Sequence, residues 1–334
     1  MTASPTPLAA YAGIVCDLDG VVYRGPEAVR GAVEALRALA VPVIYATNNA
    51  SRPPAEVAAH LRELGLDASD RQVVNSSMAG AAEVADRVPP GSRVLAVGGE
   101  GVALALSDAG LDAVLDAREA VAAVLQGYGP GVSAADLAEA AYAIEGGALW
   151  VATNTDLTLP TDRGVAPGNG SLVACVATAT GATPVVVGKP YAPLYLMSTR
   201  VLGLAPERVL GVGDRLETDI AGATAAGMAA ALVLTGVHGA RDAALAPPEA
   251  RPRYLLAGLG QLDEPYAAPL ADPSGGFRCG AAHAAIVGGG LQVLPSADPL
   301  EGMRAAVATV WDYLDVGGDP GHARVLTDAF PDRV

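Results

Sequence analysis

The stretch that most constrains this chain is Gly13-Ile14-Val15-Cys16-Asp17-Leu18-Asp19-Gly20-Val21-Val22-Tyr23. It opens as a short apolar run, the pattern of a strand buried on both faces inside a parallel sheet. The run stops at Asp17 and Asp19, followed by Gly20. In open α/β sheets ligands bind at the carboxyl ends of the strands. Two like charges placed there are costly unless a cation joins them. Asp19-Gly20 alone also fits a plain turn, so the remaining strand ends have to decide between the two.

They recur down the chain. A helix is predicted over 27–40, where Val29, Val33, Leu36 and Leu39 fall at helical spacing. A buried strand over 41–46 then ends at Thr47-Asn48-Asn49. A helix begins at Pro53-Pro54 and closes at Gly65, and a third short strand spans 73–77. Between about 79 and 182 the alternation restarts as a self-contained α/β unit. Its strands are predicted at 93–97, 122–127 and 149–152, and its helices at 102–110, 134–146 and 172–180. The first pattern returns with a strand over 184–187 ending at Gly188-Lys189-Pro190, a strand over 209–213 ending at Asp214, and a strand over 230–234.

The expected fold is therefore α/β. A discontinuous core over 1–78 and 183–262 carries a parallel sheet, with a cap inserted over 79–182. A small α+β appendage follows over 263–334, with a Pro/Ala/Gly-rich linker at 264–276. Beyond it come a hairpin around Gly288-Gly289-Gly290 and an amphipathic helix over 300–314 bearing Met303, Val307 and Trp311. That helix needs a partner, either the main body or a second copy of the chain in a homodimer.

If the core strands are neighbours, Asp17, Asp19, Thr47, Asn48, Lys189 and Asp214 meet at one sheet edge. Asp219 stands close by, in Gly213-Asp214-Arg215-Leu216-Glu217-Thr218-Asp219. Several carboxylates with one lysine suit a hard divalent cation, and Mg²⁺ suits a site of few carboxylates plus a substrate phosphate. Such a set supplies the parts of phosphoryl transfer. Each piece has a plainer reading: a solvated loop lysine, a helix cap at Thr47-Asn48-Asn49, a turn at Gly213-Asp214. Those readings leave the repeated polar strand ends unexplained. Gly188-Lys189 is not a phosphate-binding P-loop, because Thr183 takes the first glycine position and Pro190 follows the lysine. His60, His238, His283 and His322 have no metal or triad spacing, and each is read as a surface or core residue.

The ordered set Asp-Leu-Asp-Gly-Val, Thr-Asn-Asn, Gly-Lys-Pro and Gly-Asp-Arg-Leu-Glu-Thr-Asp-Ile resembles the haloacid dehalogenase (HAD) superfamily of phosphatases. Within it the chain is similar to subclass IIA, whose members carry a large C2-type cap. The resemblance covers residues 11–260. It implies that Asp17 attacks phosphorus and becomes an aspartyl-phosphate, while Asp19 protonates the leaving alcohol and later activates water. The Asp19 main-chain carbonyl, Asp17 and Asp214 would hold Mg²⁺, with Asp219 orienting a metal-bound water. Thr47 and the Asn48 amide would hold phosphate oxygens beside Asn49, and Lys189 would steady the phosphate and the Asp17 charge. The cap segment Asn154-Thr155-Asp156-Leu157-Thr158-Leu159-Pro160 corresponds to the family loop that faces the leaving group. Pyridoxal-phosphate members tend to carry an aromatic and a histidine just before this proline, where this chain has Thr158 and Leu159. Asn154, Asp156 and Leu159 are thus substrate-contact expectations, although Asn154 and Asp156 equally suit a turn. The resemblance implies a small phosphorylated alcohol as substrate, glycerol 3-phosphate first and phosphoglycolate second, ahead of sugar, nucleotide or pyridoxal phosphates. An idle homologue serving as a scaffold is the rival of another class; it would have no need of a nucleophile.

Composition narrows the partners. The 334 residues carry 36 acidic against 21 basic side chains, a net charge of −15, which disfavours nucleic acid and anionic membranes. Cys16, Cys175 and Cys279 have no paired or metal spacing and are read as reduced, buried small hydrophobes. Residues 1–12 show no signal-peptide pattern and no apolar run reaches membrane-spanning length, so a cytoplasmic location is expected.

Overall fold

The structure, a computed structural model, describes residues 4–161 and 163–330. It divides into two compact units, one of residues 1–43 and 204–334 and the other of residues 44–203.

In the first unit four parallel strands lie in the order Tyr254–Leu256, Ala229–Val233, Val209–Gly213, Gly13–Cys16. Every residue of Gly13–Cys16 and Val209–Gly213 is buried, as their near-continuous apolar runs predict. Gly13 pairs with Val209 and Cys16 with Val212, so both strands deliver their next residues, Asp17 and Asp214, at the same edge. The backbone N–H of Asp17 extends the ladder to the Val212 carbonyl at 2.8 Å.

After Asp19 the chain does not enter a helix. The Leu18 carbonyl accepts from Val21, Val22 and Tyr23, and a hairpin of Tyr23–Arg24 and Glu27–Ala28 follows. The helix forms only over Ala32–Ala38, behind Gly31 at φ 75°. The predicted first turns are thus a hairpin, because Gly25-Pro26 reverses the chain and Val29 donates to Val22 instead.

The appendage packs within this unit. Its sheet runs Leu270–Ala271, Phe277–Cys279, Ala282–Val287, Gly290–Leu294, all antiparallel, with helix Pro299–Asp315 against it. The other side of that helix meets the main body. Arg304 Nε donates to the Leu255 carbonyl at 3.0 Å, and Trp311 Nε1 to the Ala243 carbonyl at 2.7 Å. Residues 264–276 are not a loose linker: Tyr266 is buried, its N–H bonded to the Pro5 carbonyl and its ring against Tyr254.

In the second unit the strand Val43–Thr47 pairs in parallel with Val73–Asn75. The expected extension of the latter to residue 77 is instead the start of a helix, Ser76–Ala85, because Asn75 caps it by accepting from the Met78 N–H at 3.0 Å. A five-stranded parallel sheet follows, in the order Val185–Val186, Leu149–Ala152, Ala123–Gln126, Arg93–Val97, Asp112–Val114. Helices Ala134–Glu145 and Asn169–Thr180 flank it over a core of Leu95, Val97, Val124, Trp150, Val173 and Val176. The strand at 185–186 therefore belongs to the inserted sheet and not, as its sequence position suggests, to that of Gly13–Cys16. Thr158–Thr161 and Gly164–Pro167 form an antiparallel hairpin where a loop is expected. Among the described residues no helix is long and apolar enough to cross a membrane.

Candidate active site

The sequence candidates fall into two groups, one in each unit. In the first, Asp17, Asp214 and Asp219 each bring a carboxylate oxygen to within 4.8 Å of the others. Asp214 is 1% exposed and Asp219 4%. Asp219 is placed by a π-helical turn, Leu216–Ile220, that starts right behind Asp214. Its Oδ2 accepts from the Arg215 N–H at 3.1 Å, which folds the carboxylate back towards the strand end. Asp214 Oδ2 accepts from the Val237 N–H at 2.7 Å. Asp19 is exposed and its side chain is not one of the three gathered carboxylates. Gly20, at φ 86°, turns the chain so closely over Asp214 that a side chain there would press on its carboxylate.

Three carboxylates held this close, two of them buried, repel one another, and neighbouring positive charge is what makes the charged state tolerable. Oxygen donors only, few in number, fit a hard divalent ion such as Mg²⁺.

The second unit holds Thr47, Asn48, Asn49, Asn154, Asp156, Leu159 and Lys189. Thr47 ends its strand, is buried, and accepts the Asn49 N–H at 3.1 Å through Oγ1, so the hydroxyl proton points to another acceptor. Asn49 itself is exposed, and its Oδ1 takes the Ser51 N–H and hydroxyl at 3.0 and 2.7 Å. Lys189 is 3% exposed, which disposes of the solvated-loop reading. Asn48 spends its side chain on its surroundings: Oδ1 accepts from the Lys189 N–H at 2.8 Å, and Nδ2 donates to the Lys189 carbonyl and to Asp156 Oδ2, both at 3.1 Å. Asn154 is buried and shapes its own turn, with Nδ2 on the Asn48 carbonyl at 2.8 Å and Oδ1 on the Asp156 N–H at 3.2 Å. Leu159 is half-buried on the hairpin, paired with Ala166.

Two participants escaped the sequence reading. His238 Nδ1 accepts the Leu216 N–H at 3.0 Å and so fixes the start of the π-helical turn, while the His238 N–H donates to the Asp214 carbonyl at 3.1 Å. Its signal was position: Thr235-Gly236-Val237-His238 follows the end of Ala229–Val233, a further parallel strand end. Asn169, which donates to the Asn154 carbonyl at 2.7 Å, opens the helix behind the turn at 154–156. Cys175 is exposed, contrary to the expectation of burial that Cys16 and Cys279 meet.

Comparison with known proteins now bears on this geometry. A model of haloacid dehalogenase-like hydrolases matches residues 14–112, and a HAD-hydrolase-like model matches residues 186–262. The D-glycerol 3-phosphate phosphatase of Mycobacterium tuberculosis is 43% identical over 90% of this chain and 85% of its own. The chain belongs to the haloacid dehalogenase-like hydrolases. The acid sugar phosphatase of Staphylococcus aureus is 35% identical over 70% of this chain and 90% of its own. Among solved structures, the glycerol phosphate phosphatase of M. tuberculosis in complex with magnesium has a TM-score of 0.85 at 41% identity, covering 92% of either chain. A p-nitrophenyl phosphatase from Archaeoglobus fulgidus has a TM-score of 0.69 at 28% identity over 76% of this chain and 98% of its own.

Proposed function

We infer that this HAD hydrolase is a Mg²⁺-dependent phosphoric monoester hydrolase whose substrate is a small phosphorylated alcohol, glycerol 3-phosphate. The observation that carries the reading is the gathering of Asp17 and Asp214, at adjacent ends of parallel strands, with Asp219 from the turn behind Asp214. The substrate rests on the relative that acts on it, alike over 90% of this chain. Sugar phosphates are the second reading, favoured by the S. aureus relative.

In this reading Asp17 is the nucleophile, and the phosphoryl group passes to its carboxylate. Asp19, exposed and outside the gathered carboxylates, would carry a proton to the leaving oxygen and then from water. Asp17, Asp214 and the Asp19 main-chain carbonyl would hold the metal, and Asp219 would orient a water bound to it. Bound Mg²⁺ would supply positive charge for the phosphate oxygens and for the carboxylates around them. Thr47 donates its hydroxyl to a phosphate oxygen, and Lys189, a buried cation, offsets phosphate charge. The functional division in this reading is a core over 1–78 and 183–262, a cap over 79–182 and an appendage over 263–334, with strand Val185–Val186 of the core segment lent to the sheet of the cap. A cytoplasmic location belongs to the reading, supported by cysteines without paired spacing. So does a homodimer, for which the exposed Leu270, Val287 and Leu294 of the appendage offer apolar surface.

Asp17→Asn should abolish turnover, since an amide cannot form the acyl-phosphate. Phosphate release by the purified variant above a few per cent of wild type would remove Asp17 from that role. Exhaustive chelation should silence the enzyme and Mg²⁺ restore it. Ca²⁺ should inhibit, because its larger and looser coordination would engage both Asp17 oxygens.

A further inference from the structure

Asn48 has a role that its place after Thr47 does not suggest. Its side-chain amide is fully used within the second unit. Oδ1 takes the Lys189 N–H at 2.8 Å, and Nδ2 is shared between the Lys189 carbonyl and Asp156 Oδ2 at 3.1 Å each. Its main-chain carbonyl takes Asn154 Nδ2 at 2.8 Å and the Ser76 hydroxyl at 2.6 Å. One residue therefore clamps both backbone polar groups of Lys189 and grips the cap turn at two points, across sequence separations of 106 to 141 residues. The turn it grips is rigid from its far side, where Asn169 Nδ2 holds the Asn154 carbonyl at 2.7 Å and the Gly170 N–H holds the Asp156 carbonyl at 2.9 Å.

We propose that Asn48 is a positioning residue whose side chain couples the cap turn 154–156 to Lys189, so that the leaving-group loop and the phosphate-binding lysine are set together. The proposal rests on the functional reading above for Lys189 and the cap turn. It also recasts Asp156: its carboxylate serves as the acceptor for Asn48, in place of the substrate contact expected for it. A primary amide suits the post because it can accept from Lys189 N–H at one end and donate twice at the other. A carboxylate loses both donations and faces Asp156 with like charge.

The test is a set of variants assayed on glycerol 3-phosphate and on p-nitrophenyl phosphate, whose leaving group has no hydroxyls to read. Asn48→Asp should lower kcat on both substrates by about 30- to 100-fold, the scale of two lost hydrogen bonds and a new repulsion. Asp156→Asn should stay within about threefold of wild type, because the turned amide still offers an acceptor to Asn48. Combining them should regain at least about tenfold over Asn48→Asp, since the amide introduced by Asp156→Asn can donate to the new carboxylate; a residue that only props the fold shows no such coupling. Asp156→Ala removes the acceptor of Asn48 Nδ2, and a thermal melt of the purified variant checks that it folds. It should lower kcat on p-nitrophenyl phosphate by about three- to tenfold with KM little changed. Equal impairment of Asn48→Asp and the double variant would overturn the proposal, as would full p-nitrophenyl phosphate turnover by Asp156→Ala. Wild type inert towards glycerol 3-phosphate but active on p-nitrophenyl phosphate would sink the substrate reading instead, and the cycle on the second substrate would still decide the role of Asn48.

Discussion

At the scale of residues, the cluster of Asp17, Asp214 and Asp219 is built around Asp214, whose neighbours show how little slack it has. A Cβ at Gly236 would overlap the Asp214 carboxylate, so Gly236→Ala must displace that side chain or its loop. Activity should fall by at least about tenfold, and the Mg²⁺ concentration needed for half activity should rise, as the metal role proposed for Asp214 requires. A Mg²⁺ titration matching wild type would show that the loop yields without cost. His238→Ala should act in the same direction by leaving the Leu216 N–H without its acceptor, a loss of about 1–3 kcal/mol, while His238→Asn should recover part of it. Burial pushes the Cys279 thiol up to about 11, so at pH 8 its thiolate is scarce; Cys175, exposed, should be the one cysteine alkylated quickly in the native protein. Counting modified thiols by mass checks this. Asp17, Asp19, Asp214 and Lys189 were legible in the sequence because each follows an apolar run, and the strand end itself marks them. His238 and the partners of Asn48 were not, since those bonds join residues 22 to 141 positions apart and no local pattern encodes them.

Among the elements, strands read well and their company read less well. Val209–Gly213 and Leu149–Ala152 fall where their apolar runs put them. Val185–Val186 looked like a return to the first sheet because it precedes Lys189, yet it pairs with Leu149–Ala152; two residues carry too little pattern to choose a neighbour. Ser76–Ala85 was hidden because its small residues show no apolar stripe, and only the Asn75 cap marks its start. The hairpin Thr158–Thr161 carries Leu159, whose backbone bonds to Ala166 fix it there whatever its side chain. Leu159→His should therefore fold normally and narrow the gap in kcat/KM between glycerol 3-phosphate and pyridoxal phosphate. Unchanged constants would remove this hairpin from substrate choice. Helix Pro299–Asp315 is pinned by Arg304, 5% exposed, with its guanidinium 4.1 Å above the Tyr266 ring and Nε on the Leu255 carbonyl. Arg304→Ala should cost on the order of 2–4 kcal/mol, read as a lower urea midpoint, and Lys should not rescue it because it lacks the planar fork.

For the whole molecule, the appendage is a structural part of the unit that carries Asp17 and Asp214. Its helix docks on the main body through Arg304 and Trp311, so a chain ending at residue 262 uncovers the surface that this helix covers. Such a chain should aggregate or melt several degrees lower; unchanged stability and turnover would show the appendage to be dispensable. The sequence foretold a helix in need of a partner but left open which one, because complementarity lies in the opposing surface. What the enzyme turns over is decided by steady-state kinetics across a panel of phosphate monoesters. Glycerol 3-phosphate should have the highest kcat/KM, at least about tenfold above pyridoxal phosphate, because an apolar side chain at Leu159 would offer no hydrogen bond to a pyridine ring. A tenfold preference for pyridoxal phosphate or a nucleotide would contradict it.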